Sequence, residues 1–275
     1  MSRIWLCADD YGISPSVNAA IRDLVVRERI NATSVMVVTP SFHRAEAHAL
    51  QALNTTGQRV AIGLHLTLSA PHRPLSEGFR PLRHGAFPPL ATLLIQACLG
   101  LLTSDALTAE IARQVRAFVE HFGRPPDFID GHQHVQLFPQ VRDALLTVAR
   151  REAPDAWLRQ CGRVRPFAHA LDDRKGLLLD ILSRGFRRRA AALGVRTNPA
   201  FAGTYTFRDR ADFAATFPQF LDGLPDGSVV MCHPGFVDLE LEKLDPLTTL
   251  REQEYAFFVQ DSFPGLLARH GVALA

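Results

Sequence analysis

The chain has 275 residues, of which 47% are hydrophobic and 21% are charged, and its mean hydropathy is +0.02. This composition supplies enough apolar side chains for a large core and excludes an intrinsically disordered protein. A formal charge of +2 and an isoelectric point near 8.5 are too mild for a nucleic-acid-binding protein, so no nucleic-acid partner is expected. The length fits a single domain over residues 1–275, because α/β barrels of about this size fold as one unit.

The cysteines and the N-terminus bear on the compartment. The four cysteines, at positions 7, 98, 161 and 232, are far apart and form no CxxC pair. They predict neither a zinc knuckle nor a disulfide framework, and a reducing compartment is the simplest interpretation. The first ten residues include two carboxylates where a signal peptide would need its apolar stretch. We therefore expect a cytoplasmic protein.

The first half of the chain alternates predicted strands and helices. A short apolar run at 4–8 predicts a strand that ends at Asp9-Asp10-Tyr11-Gly12. Ser14 and Pro15 then supply an N-cap and a first-turn proline for an amphipathic helix to about Arg29. There follow, in chain order, a strand at 34–38, a helix to about Leu53 and a strand at 61–68.

The second half of the chain repeats this alternation. An amphipathic helix is predicted at 108–122, where apolar side chains recur three and four residues apart. The later predicted elements are a strand at 127–130, a helix at 139–152, a strand at 157–159, a helix at 176–193 and a strand at 228–232. Alternating elements of this kind imply an α/β fold with a parallel sheet and helical crossovers, either a barrel or a doubly wound sheet.

Residues 69–103 are predicted to be a proline-rich and apolar insertion. The proline-rich stretch at 68–91 is long enough to be a functional loop. The charge-free apolar segment at 86–102 is shorter than the ~20 residues of a membrane span, so no transmembrane segment is expected. Three interpretations stay open for it, namely a buried helix, an interface helix of a homodimer and a hydrophobic lid.

Polar side chains of catalytic and metal-binding types follow several predicted strands. In a βα protein the active site lies beyond the carboxyl ends of the strands, so these side chains are expected at one mouth. Carboxylates, imidazoles and a guanidinium together suit a hydrolase with a bound divalent metal ion. The strand ends carry, in chain order, Asp9 and Asp10, His65, the run Asp130-Gly131-His132-Gln133-His134, Arg159 and His233.

Each of these residues has a structural alternative when taken alone. The two aspartates fit a turn that caps a helix, and His65, between two leucines, fits a core histidine. His132 and His134 are a stronger signal, because in an extended segment their side chains point to the same side. Taken together, several strand ends would each carry a costly polar group for no shared reason, which favours a common site.

Four motifs resemble, in order and spacing, those of the YdjC-like carbohydrate deacetylases, which include the chitooligosaccharide deacetylases. The motifs are Ala8-Asp9-Asp10-Tyr11-Gly12, Gly63-Leu64-His65-Leu66, Asp130-Gly131-His132-Gln133-His134-Val135 and Met231-Cys232-His233-Pro234. The resemblance implies a distorted (β/α) barrel with mostly parallel strands, related to the polysaccharide deacetylases. It also implies one divalent metal ion, usually given as Mg²⁺ and sometimes as Zn²⁺, and removal of the acetyl group from an N-acetylated amino sugar.

The resemblance also assigns roles to individual residues. The family's metal ligands fall on Asp10, His65 and His132. Asp9 matches the catalytic carboxylate and His233 matches the histidine that protonates the leaving amine. Arg159 stands where an arginine could orient Asp9, and no further cofactor-binding residue is implied.

One position departs from the family pattern. Many members have a histidine where this chain has Gln136, and glutamine has no pKa that would let it donate a proton usefully. The roles of Gln136 and His134 therefore stay open, and a non-catalytic sugar-binding relative is one alternative. A second alternative is another metal-dependent barrel hydrolase, either a phosphoesterase or an amidohydrolase.

Two further segments bear on the substrate. The apolar segment at 86–102 could face a lipid-linked sugar, and the arginines at 184, 187, 188 and 189 could meet a phosphate or an anionic membrane surface. Such features are also typical of packed helices and solvated helix faces. Lipid linkage and peripheral membrane contact are therefore weaker expectations than an acetylated amino-sugar substrate.

Overall fold

The computed structural model describes residues 1–56, 60–165, 173–205 and 212–275. The chain forms two compact units. The first consists of Met1–Val35, Pro40–Ile62 and Asn198–Ala275, and the second of Met36–Thr39 and Gly63–Thr197. The expectation of one domain over 1–275 stays a prediction.

Strands and helices alternate along most of the described chain. In order they are β1 (Ser2–Tyr11), α1 (Pro15–Val26), β2 (Ala32–Val35), α2 (Arg44–Ala52), β3 (Ala61–Leu66), α3 (Leu90–Leu99), α4 (Ser104–Phe122), β4 (Phe128–Gly131), α5 (Pro139–Glu152), β5 (Trp157–Leu158), α6 (Arg174–Ala192), β6 (Phe201–Ala202), α7 (Phe213–Phe220), β7 (Ser228–Cys232), α8 (Leu239–Leu244), α9 (Thr249–Phe258), α10 (Phe263–Arg269) and β8 (Val272–Leu274). Short 3₁₀ helices follow α2 at Leu53–Thr56 and β4 at His132–Leu137.

In the first unit β1 is the central strand. It pairs in parallel with β2, β7 and β8, and β7 in turn pairs in parallel with β6. From Leu6 onward β1 is buried at every position, as a strand covered on both faces requires. The helix that follows begins as predicted, since the Ser14 hydroxyl accepts the Val17 amide at 3.3 Å and Pro15 occupies the first turn.

A cluster of phenylalanines fixes α7, α9 and α10 to one another in the first unit. Phe217 packs edge-on against Phe258 at 5.3 Å between ring centroids, and Phe258 packs against Phe263 at 5.2 Å. All three rings are buried. Burial of each ring contributes about 1.5–3 kcal/mol, so α9 is held firmly, and with it the charged residues that it carries.

In the second unit the strands β3, β4 and β5 are parallel. Leu64 pairs with Ile129, and Ile129 pairs with Leu158. Gly63 allows this packing, because a Cβ there would lie 2.4 Å from the Phe128 ring. The prediction of an α/β fold with parallel strands is therefore confirmed, and the positions of α5 and β7 agree with the predicted 139–152 and 228–232.

Other predicted boundaries were wrong. The first strand continues to Tyr11 instead of ending at residue 8, and α1 ends at Val26, just before Glu28 adopts φ 57°. The second strand ends at Val35, whereas the sequence predicts a strand that continues to residue 38. The short elements β6, β8 and α7 to α10 were missed, because tertiary packing rather than local periodicity forms them.

The insertion at 69–103 is ordered by hydrogen bonds within the second unit. The Glu110 carboxylate accepts the amides of Leu75 and Ser76 at 3.1 and 2.8 Å, and the Phe87 amide donates to the His72 carbonyl at 2.9 Å. The apolar part contains a helix, α3, and of the three interpretations left open a fully buried helix does not fit it. Its exposed large side chains include Ile95 (58%), Leu99 (67%) and, just beyond the helix, Leu101 (65%).

No helix in the described part of the chain combines the length and the apolar character that a membrane crossing needs.

Candidate active site

In the first unit, Asp9 and Asp10 lie within β1, directly before its last residue, Tyr11, rather than in a loop after the strand. The register between β1 and β2 shifts between Ala8 and Tyr11, and Asp10 has φ 68°. Aspartate is one of the few residues with a side chain that enters this left-handed region readily. Such an irregularity re-aims side chains at the end of a strand. Here the irregularity re-aims the carboxylates of Asp9 and Asp10, which are only 2% and 1% exposed.

A buried arginine holds the Asp10 carboxylate. Arg251 Nη2 lies 2.6 Å from Asp10 Oδ2 and 2.6 Å from Asp245 Oδ2, and Arg251 Nε donates to the Leu247 carbonyl at 2.9 Å. A buried carboxylate needs a paired cation to stay ionised. Arg251 on α9 supplies it, and sequence reasoning missed this residue.

Asp9 has a contact to the neighbouring strand. The Ser34 hydroxyl on β2 donates to Asp9 Oδ1 at 3.3 Å. This hydrogen bond restricts the orientation of the Asp9 carboxylate.

His233, directly after β7, is held through its backbone. Its amide donates to Glu254 Oε2 at 2.5 Å, and the Tyr205 hydroxyl donates to Glu254 Oε1 at 2.7 Å. Burial raises the pKa of Glu254 to about 7, against the opposing effect of these hydrogen bonds. Burial also lowers the pKa of the His233 imidazole to about 4, although Asp10 and Asp9 act in the opposite direction. At neutral pH His233 is therefore uncharged.

In the second unit, Asp130 joins an imidazole to a guanidinium. Its Oδ1 lies 2.6 Å from His65 Nδ1, and its Oδ2 lies 2.6 Å from Arg159 Nη2. All three side chains are buried. The Asp130 carboxylate, paired with the Arg159 guanidinium, accepts the hydrogen bond, and His65 Nδ1 carries the proton. In this tautomer Nε2 of His65 bears the lone pair of the ring. Histidines that bind metals are commonly oriented by a carboxylate in this way.

His132 lies beside His65 in the same unit. Its ring centroid is 5.5 Å from that of His65 and also 5.5 Å from that of His72, both in edge-to-face orientation. His72 comes from the insertion and is buried. Sequence reasoning missed His72, since it stands outside every motif.

The expected extended conformation of the His132–His134 segment was wrong. The segment belongs to the 3₁₀ helix His132–Leu137, and Gln133 and His134 have φ values of 55° and 61°. The two imidazoles therefore turn to different neighbours. His134 Nδ1 lies 3.5 Å from Cys161 Sγ, away from the pair formed by His65 and His132. Two successive non-glycine residues in this region are strained, and such strain is typical of functional segments.

The Gln136 side chain makes hydrogen bonds within the second unit. Its Nε2 donates to the Arg159 carbonyl at 3.3 Å and to Cys161 Sγ at 3.5 Å. A Cβ at position 131 would lie 2.6 Å from Gln136 Oε1, so Gly131 is needed for this side chain to fit. Gln136 thus links the 3₁₀ helix to the segment that carries Arg159.

Each unit brings part of the predicted set together. In the first unit Asp10 is bound by Arg251, and both Asp9 and Asp10 lie close enough to His233 to raise its pKa. In the second unit Asp130 joins His65 to Arg159, and His132 packs against His65. Arg159 was expected to orient Asp9. Its partner within the second unit is Asp130, and the contact to Asp9 stays a prediction.

Several solved structures have a fold similar to that of this chain. A protein of Enterococcus faecalis, named as a candidate cellobiose-phosphate cleavage protein, matches with a TM-score of 0.76 at 20% identity, over 100% of this chain and 97% of that one. A lactam utilization protein of Thermus thermophilus matches with a TM-score of 0.53 at 14% identity, over 99% and 98%. A peptidoglycan N-acetylglucosamine deacetylase matches with a TM-score of 0.51 at 12% identity, over 99% and 85%.

These TM-scores show that the chain shares its fold with these proteins, one of which is a deacetylase, as the resemblance implied. The family model for YdjC-like proteins matches residues 3–269. The chain belongs to the YdjC-like family, which confirms the resemblance that the four motifs carry.

Proposed function

We propose that the protein is a metal-dependent carbohydrate N-deacetylase, which hydrolyses the acetamide of an N-acetylated amino sugar to acetate and a free amine. One observation carries the proposal. Acids and histidines of the family motifs, all buried except the half-buried His233, occupy the carboxyl ends of parallel strands in each unit, where βα enzymes have their active sites. Membership of the YdjC-like family and the fold shared with an N-acetylglucosamine deacetylase support it.

The donor set suits a divalent metal ion. Asp10, His65 and His132 are buried and offer one carboxylate and two imidazoles. Asp130 supports this assignment for His65, because it orients the ring and leaves Nε2 as the donor. Arg251 likewise orients the Asp10 carboxylate through its Oδ2. The family resemblance implies Mg²⁺, whereas two imidazole donors are more typical of Zn²⁺, so Zn²⁺ is kept as the alternative.

When bound, the ion supplies a Lewis acid that polarises the acetyl carbonyl and acidifies water. Asp9 is proposed as the general base that takes a proton from the attacking water. Its carboxylate is buried, and the Ser34 hydroxyl donates to one of its oxygens. Proton transfer by a positioned base contributes typically ~10²–10⁴-fold to the rate. Arg159 is proposed to orient this carboxylate.

His233 is proposed to protonate the departing sugar nitrogen. In the resting enzyme its imidazole is neutral, because burial lowers its pKa. Negative charge that develops on the substrate raises the pKa of a nearby imidazole, so His233 takes up a proton from solvent and then gives it to the amine. The proton that Asp9 removes from the attacking water returns to solvent after acetate leaves. Glu254 supports this role by fixing the His233 backbone.

The pH dependence of kcat/KM should show no inflection from His233 near the usual histidine value of about 6.5. Burial lowers the pKa of His233 to about 4, so its imidazole is neutral throughout the range from about pH 6 to 8. Initial rates over this range for the wild type and for His233→Gln measure this. An inflection near pH 6.5 in the wild type that disappears in His233→Gln would contradict a neutral resting imidazole.

Removal of the His132 imidazole should reduce metal binding. A His132→Ala protein, stripped with a chelator and dialysed against one ion, should retain far less metal than the wild type, because only two proposed ligands remain. Metal content by mass spectrometry measures this without any activity assay. The exposed His48 offers the matched control, His48→Ala, which should retain the full amount. Unchanged metal content in His132→Ala would remove His132 from the ligand set.

The reaction itself is tested with N-acetylglucosamine oligomers. Acetate and free amine should form in equal amounts, and phosphate monoesters should not be hydrolysed. Phosphate release without acetate would favour the phosphoesterase alternative. Binding of the oligomers without turnover would favour a sugar-binding relative.

The proposed substrate is an oligosaccharide or a glycoconjugate. A lipid carrier on the sugar, a homodimer and a cytoplasmic location are predictions from the sequence. Good turnover of soluble oligomers, together with no binding of polyprenyl-linked sugars, would contradict the lipid-linked form.

A further inference from the structure

Helix α6 in the second unit has a strongly basic composition. Its sequence contains six basic residues and a single acid, Asp180. Asp180 is buried and already bound by Arg163, whose Nη2 lies 2.7 Å from Oδ2. The basic charge of this helix is therefore not compensated along its own length.

Four of the basic residues lie close together in the last turns of α6. Arg184, Arg188 and Arg189 are exposed and Arg187 is half-buried. Within the described ranges, only Arg189 among these four has an acidic partner, Asp143 at 3.4 Å, and Arg142 shares that carboxylate at 3.0 Å. Three guanidinium groups are thus available to an anionic partner.

The same helix exposes two large aliphatic side chains. Leu178 is 40% exposed and Ile181 is 53% exposed. They stand three residues apart, and Arg184 and Arg188 follow at spacings of three and four, so all four lie along one face. The opposite face, which includes Leu179 and Phe186, is buried. The exposed face therefore combines apolar and cationic side chains.

A second exposed apolar element belongs to the same unit. Both α3 and α6 pack against α5 and against the 3₁₀ helix His132–Leu137. Ile95 and Leu99 of α3 are exposed, and α3 has no charged residue. Apolar side chains thus emerge from two helices that adjoin the segment carrying His132.

We propose that the exposed face of α6, defined by Leu178, Ile181, Arg184 and Arg188, binds the surface of an anionic phospholipid membrane. Arginines meet the phosphates while the aliphatic side chains enter the boundary between headgroups and acyl chains. Basic clusters on an amphipathic helix are attracted to anionic lipid near the membrane surface. The inference does not depend on the proposed reaction.

The aliphatic residues favour a membrane over a nucleic acid. A nucleic acid would use the arginines but would leave Leu178 and Ile181 in water. The overall charge of +2 is also too small for the broad basic surface that is typical of nucleic-acid-binding proteins. A lipid surface satisfies both kinds of side chain.

The test is co-sedimentation of the full chain with vesicles. Vesicles of phosphatidylcholine mixed with an equal amount of phosphatidylglycerol should bind the protein, and phosphatidylcholine alone should not. Raising the salt should weaken binding, because exposed charges are screened. The Arg184→Gln/Arg187→Gln/Arg188→Gln variant should bind about 100-fold more weakly. Leu178→Ser/Ile181→Ser should bind about 10-fold more weakly.

Matched variants separate this face from general attraction. Arg113→Gln/Arg116→Gln/Arg151→Gln removes the same charge from exposed positions on α4 and α5. Val26→Ser/Leu239→Ser removes exposed aliphatic side chains from the first unit. Both should bind as the wild type does, with unchanged circular dichroism and Tm in all variants. Absence of vesicle binding, equal loss in the matched variants, or tighter binding to a DNA duplex than to vesicles would overturn the proposal.

Discussion

Replacement of Asp9 by asparagine should nearly abolish deacetylation while the fold and the metal content stay unchanged. Asparagine keeps the size of the side chain and can still contact Ser34, but it cannot accept a proton from water. The loss of a general base should lower kcat by about 10²–10⁴-fold. Initial rates of acetate release, together with metal content and Tm of the same preparation, measure all three properties.

Asp261→Asn is the control for this change, since Asp261 is exposed. It should retain the wild-type rate. An Asp9→Asn protein that keeps most of its activity would show that another group takes the proton. A protein that loses its metal as well would instead identify Asp9 as a ligand.

Loss of the Arg251 guanidinium should lower the free energy of unfolding by about 3–5 kcal/mol, because a buried carboxylate is left without its cation. Arg251 is fully buried and serves both Asp10 and Asp245. Urea denaturation of Arg251→Ala measures the effect. Arg251→Lys keeps the charge but has no planar fork to reach both carboxylates, so its stability should be intermediate.

Arg116→Ala is the comparison on the surface. Arg116 pairs with Glu152 at 3.2 Å, but its side chain is 54% exposed. Its removal should change the stability little, because exposed ion pairs contribute little. Equal destabilisation in the two alanine variants would contradict the role given to Arg251.

The sequence could single out candidate site residues because their chemistry is unusual for their positions. Two adjacent aspartates after an apolar run, and histidines at the ends of other strands, stand out without any tertiary information. The predicted positions of α5 and β7 held for a related reason. Their hydrophobic patterns are strong and their ends carry clear signals, such as Pro139 at the start of α5.

The residues that orient the site could not be found in this way. Arg251 and Asp10 are 241 positions apart, and nothing local to either residue indicates the pair. Glu254 stands three residues after Arg251 on the same face of α9, and it reaches His233 only because the phenylalanine cluster fixes that helix. Such contacts arise from tertiary packing rather than from spacing along the chain.

The conformation of the central motif was also beyond local reasoning. Alternation predicted an extended His132–His134 segment, whereas Gln133 and His134 adopt positive φ. The contacts of His134 with Cys161 and of Gln136 with the Arg159 carbonyl accompany this conformation. They also give Gln136 a structural role that its difference from the family histidine did not indicate.

A divalent metal ion bound by Asp10, His65 and His132 is proposed to be required for deacetylation. The most direct measurement is acetate release from N-acetylglucosamine oligomers by the chelated protein, before and after separate return of Mg²⁺, Zn²⁺, Mn²⁺ or Co²⁺. We expect no acetate from the chelated protein and recovery with at least one ion in the wild type but not in Asp9→Asn. Full activity after complete metal removal, or equal recovery in Asp9→Asn, would contradict the account.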